Sequence, residues 1–160
     1  MKVPLPGSYW VVEGRFAAGE YPWALAEQGS RAAVAVTSFV NLTEEHEGLP
    51  PYEANVAQDV RLARRSIPDF GCPSPEHMAD TLDLIDSELE RGEVVYLHCF
   101  GGRGRTGTVV GCWLVRHGSS GEEALAKVKN LRQRIPQAAR PSPETAQQRD
   151  FVRAWSELDR

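Results

Sequence analysis

Hydrophobic residues recur along the chain at two spacings, which predict two kinds of secondary structure. Short apolar runs rich in β-branched and aromatic residues predict strands, and apolar residues three and four positions apart predict helices. The predicted strands cover residues 9–14, 38–42, 62–67 and 94–97. The last of these is apolar throughout, which is typical of a strand at the centre of a sheet.

The clearest predicted helix begins at Ser74. A capping serine precedes proline at the first helical position, and Glu76 adds an acid to the first turn. Apolar residues then follow with helical spacing until Gly92 marks the end. Further helices are predicted over residues 108–117, 122–134 and 144–158.

Strands and helices therefore alternate. No repeat, low-complexity tract or long linker divides the chain, so residues 1–160 are expected to form one domain. Alternation predicts an α/β fold with a small central parallel or mixed sheet and helices on both faces.

Composition narrows the classes of function. The net charge is −4, which gives no reason to expect a nucleic-acid partner. No apolar stretch approaches the roughly 18 residues that span a bilayer, and residues 1–7 lack the apolar core of a secretion signal. Three cysteines do not make a disulfide framework, and without a CxxC pair or clustered histidines no metal site is expected. We expect a cytoplasmic monomer without a cofactor, in which a thiol stays free.

The candidate chemistry lies between the apolar strand at 94–97 and the helix that follows it. There the sequence reads HCFGGRGRTG, from His98 to Gly107. It offers a nucleophile at Cys99, five residues of which three are glycine, and Arg105 at the helix start. Glycines let backbone N–H groups converge on an anion, and a helix N-terminus adds positive potential. Both effects favour the thiolate of Cys99, and the planar guanidinium of Arg105 can bind two phosphoryl oxygens.

Two simpler interpretations fit less well. Cys99 could be an ordinary core cysteine, but that explains neither the glycines nor Arg105. A nucleotide-binding P-loop would end in Gly-Lys-Ser/Thr and would not begin with His-Cys.

The pattern HCxxGxGRT resembles the signature of the protein tyrosine phosphatase superfamily. Stretches in the same order resemble its small atypical dual-specificity members. These stretches are WVVEGR at 10–15, VNLTE at 40–44, SIPDF at 66–70, RGEV at 91–94 and PETAQQ at 143–148. The resemblance implies a phosphatase that acts without metal through a phosphocysteine on Cys99. Its implied substrate is phosphotyrosine of a protein or peptide, with phosphoserine and phosphothreonine as further candidates.

The resemblance also implies roles for the residues around Cys99. Thr106 would hydrogen-bond the sulfur as it leaves, and His98 would orient the loop. The phosphate would be bound by the loop residues Phe100, Gly101, Gly102, Arg103, Gly104 and Arg105.

Asp69 matches the general acid. It follows a proline in a proline-rich loop that could close over the substrate. The alternative is a turn-forming aspartate, because Pro-Asp is common in turns.

Glu144 and Gln148 fall where larger tyrosine-specific relatives position water with two glutamines. Glutamate at the first position departs from that pattern, and Ser142-Pro143-Glu144 is equally a helix start. Cys72 lies three residues after Asp69 and could form a protective disulfide with Cys99.

Three other functions stay open from the sequence. Arg103 adds a second cation to the loop, as in phosphoinositide phosphatases, although Phe100 stands where those enzymes usually have a basic residue; Arg103 could also simply face solvent. The chain could instead be a catalytically weak phosphate-binding module. A sulfurtransferase or arsenate reductase would also use a cysteine in an anion-binding loop.

Overall fold

The computed structural model describes residues 1–28 and 35–160. Within those ranges no helix is both long enough and apolar enough to cross a membrane. One five-stranded sheet organises the molecule, with the strand order β1-β2-β5-β3-β4. The strands are β1 (Ser8–Val12), β2 (Phe16–Gly19), β3 (Ser38–Asn41), β4 (Arg61–Arg64) and β5 (Val95–His98).

The sheet is mixed. β1 pairs antiparallel with β2, and β2, β5, β3 and β4 run parallel to one another. The helices are α1 (Trp23–Gln28), α2 (Pro75–Glu90), α3 (Arg105–Arg116), α4 (Gly121–Leu131) and α5 (Ala146–Leu158). Two short 3₁₀ helices, Glu45–Glu47 and Glu53–Asn55, lie between β3 and β4.

Side chains alternate across β5 and build a core on each face of the sheet. Val95 and Leu97 pack into the larger core with residues of α2, α3, α4 and α5. Tyr96 belongs to the smaller core on the other face, together with Leu25 of α1 and Tyr52. The prediction of a mixed sheet with helices on both faces is therefore confirmed, although most of the helical mass lies on one face.

Several predicted elements need correction at their ends. The strand predicted over residues 9–14 ends at Val12, and the helix predicted over residues 122–134 ends at Leu131. The strand predicted over residues 62–67 is β4, Arg61–Arg64, an edge strand on which Leu62 is exposed, so its apolar alternation did not mark a buried face. The helix predicted to begin at 108 begins at Arg105, and the one predicted to begin at Glu144 begins at Ala146 with Thr145 as its cap.

Two elements were not predicted, β2 and α1. β2 reads Phe-Ala-Ala-Gly, which lacks the β-branched residues typical of strands. At Gly19 a side chain is excluded, because a Cβ atom there would collide with the backbone of Gly7 and Ser8 and with the Tyr96 hydroxyl. Gly102, which has a φ of +70°, lies so close to Gly19 and Glu20 that a Cβ atom on it would collide with their backbone.

β5 and α3 position the candidate site. β5 ends at His98, six residues then turn at the carboxyl edge of the sheet, and α3 begins at Arg105. Its N-cap is Gly104, and no side chain caps the first turn. The backbone N–H groups at this end are thus left for other partners.

Candidate active site

Cys99 lies in the turn between β5 and α3, buried to 2% exposure. The N–H of Gly102 donates a hydrogen bond to its sulfur, with 3.2 Å between nitrogen and Sγ. The left-handed backbone of Gly102 turns that N–H inward. Cys99, the predicted nucleophile, therefore lies in a backbone nest in front of the N-terminus of α3, an arrangement that suits an anion.

The His98 imidazole is fully buried behind this turn. Its Nδ1 is 3.2 Å from the carbonyl oxygen of Cys99, and its Nε2 is 2.7 Å from the hydroxyl of Tyr52. A carbonyl oxygen can only accept, so Nδ1 carries the proton and Tyr52 donates to Nε2. Burial lowers the pKa of His98 to about 3, and the charges of Arg64 and Arg105 act in the same direction. His98 is therefore a neutral group that contacts the loop backbone at Cys99, and the orienting role that the resemblance implies stays a prediction.

Arg105 is 1% exposed and bound on one side by Glu47. Its NH1 and NH2 groups donate to the two carboxylate oxygens of Glu47 at 2.8 and 3.0 Å, and NH1 also donates to the Ile67 carbonyl at 3.1 Å. Burial acts to lower the pKa of Arg105, but the hydrogen bonds to Glu47 and the nearby Cys99 raise it overall. Its Nε has no partner among the described residues. The guanidinium is fixed, charged and still has a donor to offer a ligand.

Asp69 lies at the mouth of the same site. Its Oδ1 is 3.4 Å from NH2 of Arg105 and accepts a hydrogen bond from the N–H of Phe70 at 3.0 Å. The side chain is half exposed, so a substrate can reach it. Phe70 has a φ of +62°, a left-handed conformation that is uncommon for a bulky residue and typical of functional loops.

Glu144 lines the cavity above Cys99, whereas Gln148 is fully buried beside it and is not part of the cavity lining. Both have protein partners. Glu144 forms an ion pair with Arg103 at 3.0 Å. The Gln148 amide oxygen accepts from the N–H groups of Glu144 and Thr145, and its nitrogen donates to the Gly71 carbonyl at 3.1 Å. Gln148 thus ties the Asp69 loop to the start of α5. A role for either residue in positioning water stays a prediction.

Arg103 does not simply face solvent. Its Nε donates to the Pro141 carbonyl at 2.8 Å, and Glu144 holds its NH1. Thr106 follows Arg105 in the first turn of α3 and is fully buried. Its Oγ1 has no hydrogen-bond partner in the described part of the chain. Its predicted bond to the sulfur is not formed here and stays a prediction for the reacting state.

The three cysteines are all free thiols. Burial raises the pKa of Cys72. Burial also raises the pKa of Cys112, and the neighbouring Cys72 adds to that rise. The predicted Cys72–Cys99 disulfide is not formed in this structure and stays a prediction.

A cavity of about 290 Å³ opens above Cys99. Asp69, Arg105 and most of the predicted phosphate-binding residues line it. Two aromatic side chains flank it, Phe70 at 59% and Phe100 at 50% exposure. The cavity walls thus hold a thiol, a guanidinium group and a carboxyl group, the three groups that a cysteine-dependent phosphoryl transfer would use.

Sequence reasoning missed two residues of this site, Glu47 and Tyr52. Glu47 is 58 residues from Arg105 in sequence, and its acidic loop gave no signal that it would fold over the arginine. Tyr52 is likewise 46 residues from His98. A buried arginine and a buried histidine each require a hydrogen-bonding partner, so the sequence predicts that such partners exist. It does not show which residues they are.

Comparisons with known proteins identify a family and related structures. The family model described as "PTP-SAK: Swiss Army Knife protein, DSP-PTPase phosphatase domain" matches residues 6–155. The crystal structure of Tk-PTP in its active form superposes with a TM-score of 0.77 and 30% identity, covering 95% of this chain and 97% of that one. A structure of PTPMT1 in complex with PI(5)P has a TM-score of 0.71 at 20% identity, covering 94% of this chain and 96% of that one, which supports the fold alone.

Among curated proteins, phosphatidylglycerophosphate phosphatase PTPMT1 of Arabidopsis thaliana is 31% identical over 110 residues. The match covers 66% of this chain and 32% of that protein. The chain spans 32–49% of the lengths of the curated relatives it matches.

Proposed function

The chain belongs to the DSP-PTPase phosphatase family, and we propose that it hydrolyses phosphomonoesters of proteins or peptides, without metal, through a phosphocysteine on Cys99. One observation carries the proposal: Sγ of Cys99 accepts the Gly102 N–H at 3.2 Å in a cavity that Arg105 and Asp69 also line. Cys99, Arg105 and Asp69, the proposed nucleophile, cation and acid, line one cavity, which supports the proposal.

In the first step the Cys99 thiolate attacks phosphorus and a P–S bond forms. The P–O bond to the side chain breaks, and Asp69 gives its proton to the leaving oxygen. Arg105 and the loop amides bind the three other oxygens and stabilise their charge.

In the second step water attacks the phosphocysteine. Asp69, now a carboxylate, takes a proton from that water, and the P–S bond breaks to release inorganic phosphate. Cys99 leaves as a thiolate, stabilised by Gly102 and by a hydrogen bond from the otherwise unpartnered hydroxyl of Thr106.

The aromatic side chains that line the cavity favour a phosphoprotein as the substrate. Phe70 and Phe100 expose about half or more of their side chains beside it. Exposed aromatic rings suit the apolar part of a phosphorylated side chain better than a highly hydroxylated headgroup. Phosphotyrosine would gain most from these rings, and shorter phosphoserine or phosphothreonine side chains are included in the proposal.

A phosphoinositide or related phospholipid is the second candidate substrate. The names of two relatives favour it: a phosphatidylglycerophosphate phosphatase and a phosphatase bound to PI(5)P. Against it, Glu144 neutralises Arg103, the additional cation of the loop, and Phe100 follows the cysteine. We further propose that the protein works as a monomer in the cytoplasm, where reducing conditions keep Cys99 free.

A substrate panel in EDTA tests the proposal. Phosphotyrosyl, phosphoseryl and phosphothreonyl peptides and phosphoinositides would be compared, using wild type, Cys99→Ser and the matched control Cys72→Ser. We expect phosphopeptide hydrolysis by wild type and Cys72→Ser and none by Cys99→Ser. A strong preference for the lipids would select the second candidate. No hydrolysis of any phosphomonoester, or a need for a divalent metal, would contradict both.

A further inference from the structure

An aromatic surface continues outward from the active-site cavity on the side of α1, and the mechanism above does not use it. Phe100 lines the cavity and is 50% exposed. Trp23, the first residue of α1, is partly exposed and lies outside the cavity lining. Its ring packs edge-on against Phe100, with 5.7 Å between the ring centroids. These two side chains, the Trp23–Phe100 strip, form one apolar surface that leads out of the cavity.

The strip is held in place by Tyr21, which is 3% exposed. The ring of Tyr21 packs against Trp23, with 5.0 Å between the centroids. The Tyr21 N–H donates to the Phe100 carbonyl at 3.0 Å, and the Trp23 N–H donates to the Tyr21 carbonyl at 2.7 Å. These two backbone hydrogen bonds couple Trp23 to Phe100. Because the rings are already positioned, a ligand that binds them loses little binding free energy to ordering them.

The position of the strip relates it to the residues next to a phosphorylated side chain. A peptide whose phosphorylated residue enters the cavity has to cross the cavity rim, and exposed apolar surface beside a cavity is typical of a binding surface. Consecutive Cα atoms of a peptide are about 3.8 Å apart. The 5.7 Å between the two rings therefore corresponds to one or two residues along an extended peptide.

The chemistry of the strip indicates which side chain it would bind. Trp23 packs against Tyr21, Phe100 and the smaller core, all of which are predominantly apolar. An acidic side chain placed on these rings would lose hydration without gaining a counter-charge. A large apolar side chain such as leucine would bury apolar surface there, which is favourable.

We propose that the Trp23–Phe100 strip binds a large apolar side chain that flanks the phosphorylated residue of a protein or peptide substrate, and that Trp23 is a specificity-determining residue. The inference rests on the proposed function, because it requires a phosphoprotein substrate. It adds a preference for the sequence around the phosphorylated residue. Cys99, Arg105 and Asp69 do not supply such a preference, because in the proposed mechanism they act only on the phosphoryl group and its leaving oxygen.

Binding of phosphotyrosyl peptides to Cys99→Ser tests the proposal without turnover. Labelled peptides are compared by fluorescence anisotropy: one with alanine at every flanking position, and four with a single leucine at position −2, −1, +1 or +2 from the phosphotyrosine. We expect leucine at one of these positions to lower Kd about five- to tenfold, which corresponds to partial burial of that side chain. When Trp23→Ala is combined with Cys99→Ser, the same leucine should bring no gain.

Trp23→Phe and Trp10→Ala, each combined with Cys99→Ser, are the controls. Trp23→Phe keeps an aromatic ring and should retain part of the leucine gain. Trp10 is also partly buried beside the smaller core, but it lies on β1 and outside the cavity lining, so Trp10→Ala should keep the full gain. Peptides with lysine or glutamate in place of the leucine complete the set, because a cation can also bind an aromatic ring.

Three results of this titration would overturn the proposal. The first is the absence of a leucine gain at all four positions, and the second is a gain that survives Trp23→Ala or is exceeded by lysine or glutamate. The third is an equal loss of affinity for every peptide in both Trp23 variants, which would make Trp23 merely structural. Light scattering adds a further check: if Trp23→Ala only dissociates a dimer, the strip binds a second copy of the chain instead.

Hydrolysis by the wild-type protein separates this inference from the proposed function. If no phosphopeptide is hydrolysed but the Trp23-dependent leucine gain is present, the proposed function fails and the strip is still a peptide-binding surface. If phosphopeptides are hydrolysed but bind without a leucine preference, the proposed function stands and the inference about the strip fails.

Discussion

The guanidinium group of Arg105 is almost fully buried. A buried cation requires a counter-charge even when no substrate is bound. Glu47 supplies the counter-charge through two hydrogen bonds, and its own carboxylate is held by the Glu44 N–H at 2.6 Å. Burial acts to raise the pKa of Glu47, but the hydrogen bonds from Arg105 and the Glu44 backbone outweigh it and lower the pKa overall. Glu47 is therefore a charged positioning residue that fixes where the guanidinium points.

Glu47→Gln should reduce kcat/KM by about 10- to 100-fold, because it removes one acceptor and the counter-charge of a buried arginine. The affinity for vanadate, which requires a correctly placed Arg105, should fall in parallel. Glu45→Gln, on the same 3₁₀ helix but exposed, is the control and should leave both values unchanged. If Glu47→Gln lowers thermal stability but leaves vanadate affinity intact, Glu47 is merely structural.

Individual residues of the site could be predicted only where they are close in sequence. The turn from Cys99 to Arg105 is one continuous motif, and its glycines and arginine carry their own chemical reasons. The Glu47–Arg105 and Tyr52–His98 contacts join distant segments, so they depend on how β3 and the 3₁₀ helices fold over β5. No local pattern contains that information.

Among the elements, those with strong local signals were predicted well. α2 begins at Pro75, with the Ser74 hydroxyl accepting the His77 N–H, as its capping sequence predicts. The predictions for β2 and β4 differ from the structure for opposite reasons. β2 is made of small buried residues, and at Gly19 the backbone of Gly7 and Ser8 leaves no room for a side chain. β4 shows apolar alternation although it is an exposed edge strand. In both, tertiary contacts override local propensity.

The loop that carries Asp69 is fastened at several points. Gly71 donates its N–H to the Pro68 carbonyl at 2.9 Å, and its own carbonyl accepts from Gln148 of α5. Between them, the left-handed Phe70 keeps its ring at the mouth of the cavity. We infer that this tight turn keeps the Asp69 carboxyl within reach of the leaving group.

Asp69→Asn should separate a catalytic acid from a turn residue. It should cut the rate for alkyl phosphates by roughly 10²–10⁴, the usual contribution of a positioned acid, with a smaller loss for activated aryl phosphates. The control Asp59→Asn, exposed and outside the cavity, should behave like wild type. An equal loss across leaving groups would mean that Asp69 acts only through the loop.

For the whole molecule, the buried neutral His98 makes stability depend on pH. Its folded pKa of about 3 lies below the ordinary value of 6.5, so the unfolded chain takes up the proton first as the pH falls. The stability that this residue contributes is present above pH 6.5 and is lost progressively as the pH falls toward 3.

His98→Asn removes this proton uptake. Between about pH 6.5 and pH 4 the free energy of unfolding of wild type should fall by up to ~1.4 kcal/mol per pH unit from His98 alone, and the variant should lack that slope. Urea unfolding across this range measures it. His46→Asn, at an exposed position, should retain the wild-type slope. A variant with an unchanged slope would mean that His98 is not buried and neutral in the folded protein.

The central claim concerns one covalent bond, and it can be observed directly. Wild type mixed with p-nitrophenyl phosphate in EDTA is quenched in acid within the first turnovers, digested and analysed by mass spectrometry. We predict a phosphoryl group on the peptide that contains Cys99, and none in Cys99→Ser, whose hydroxyl is not ionised near neutral pH. A phosphoryl group on another residue, or turnover by Cys99→Ser above about a hundredth of wild type, would contradict the account.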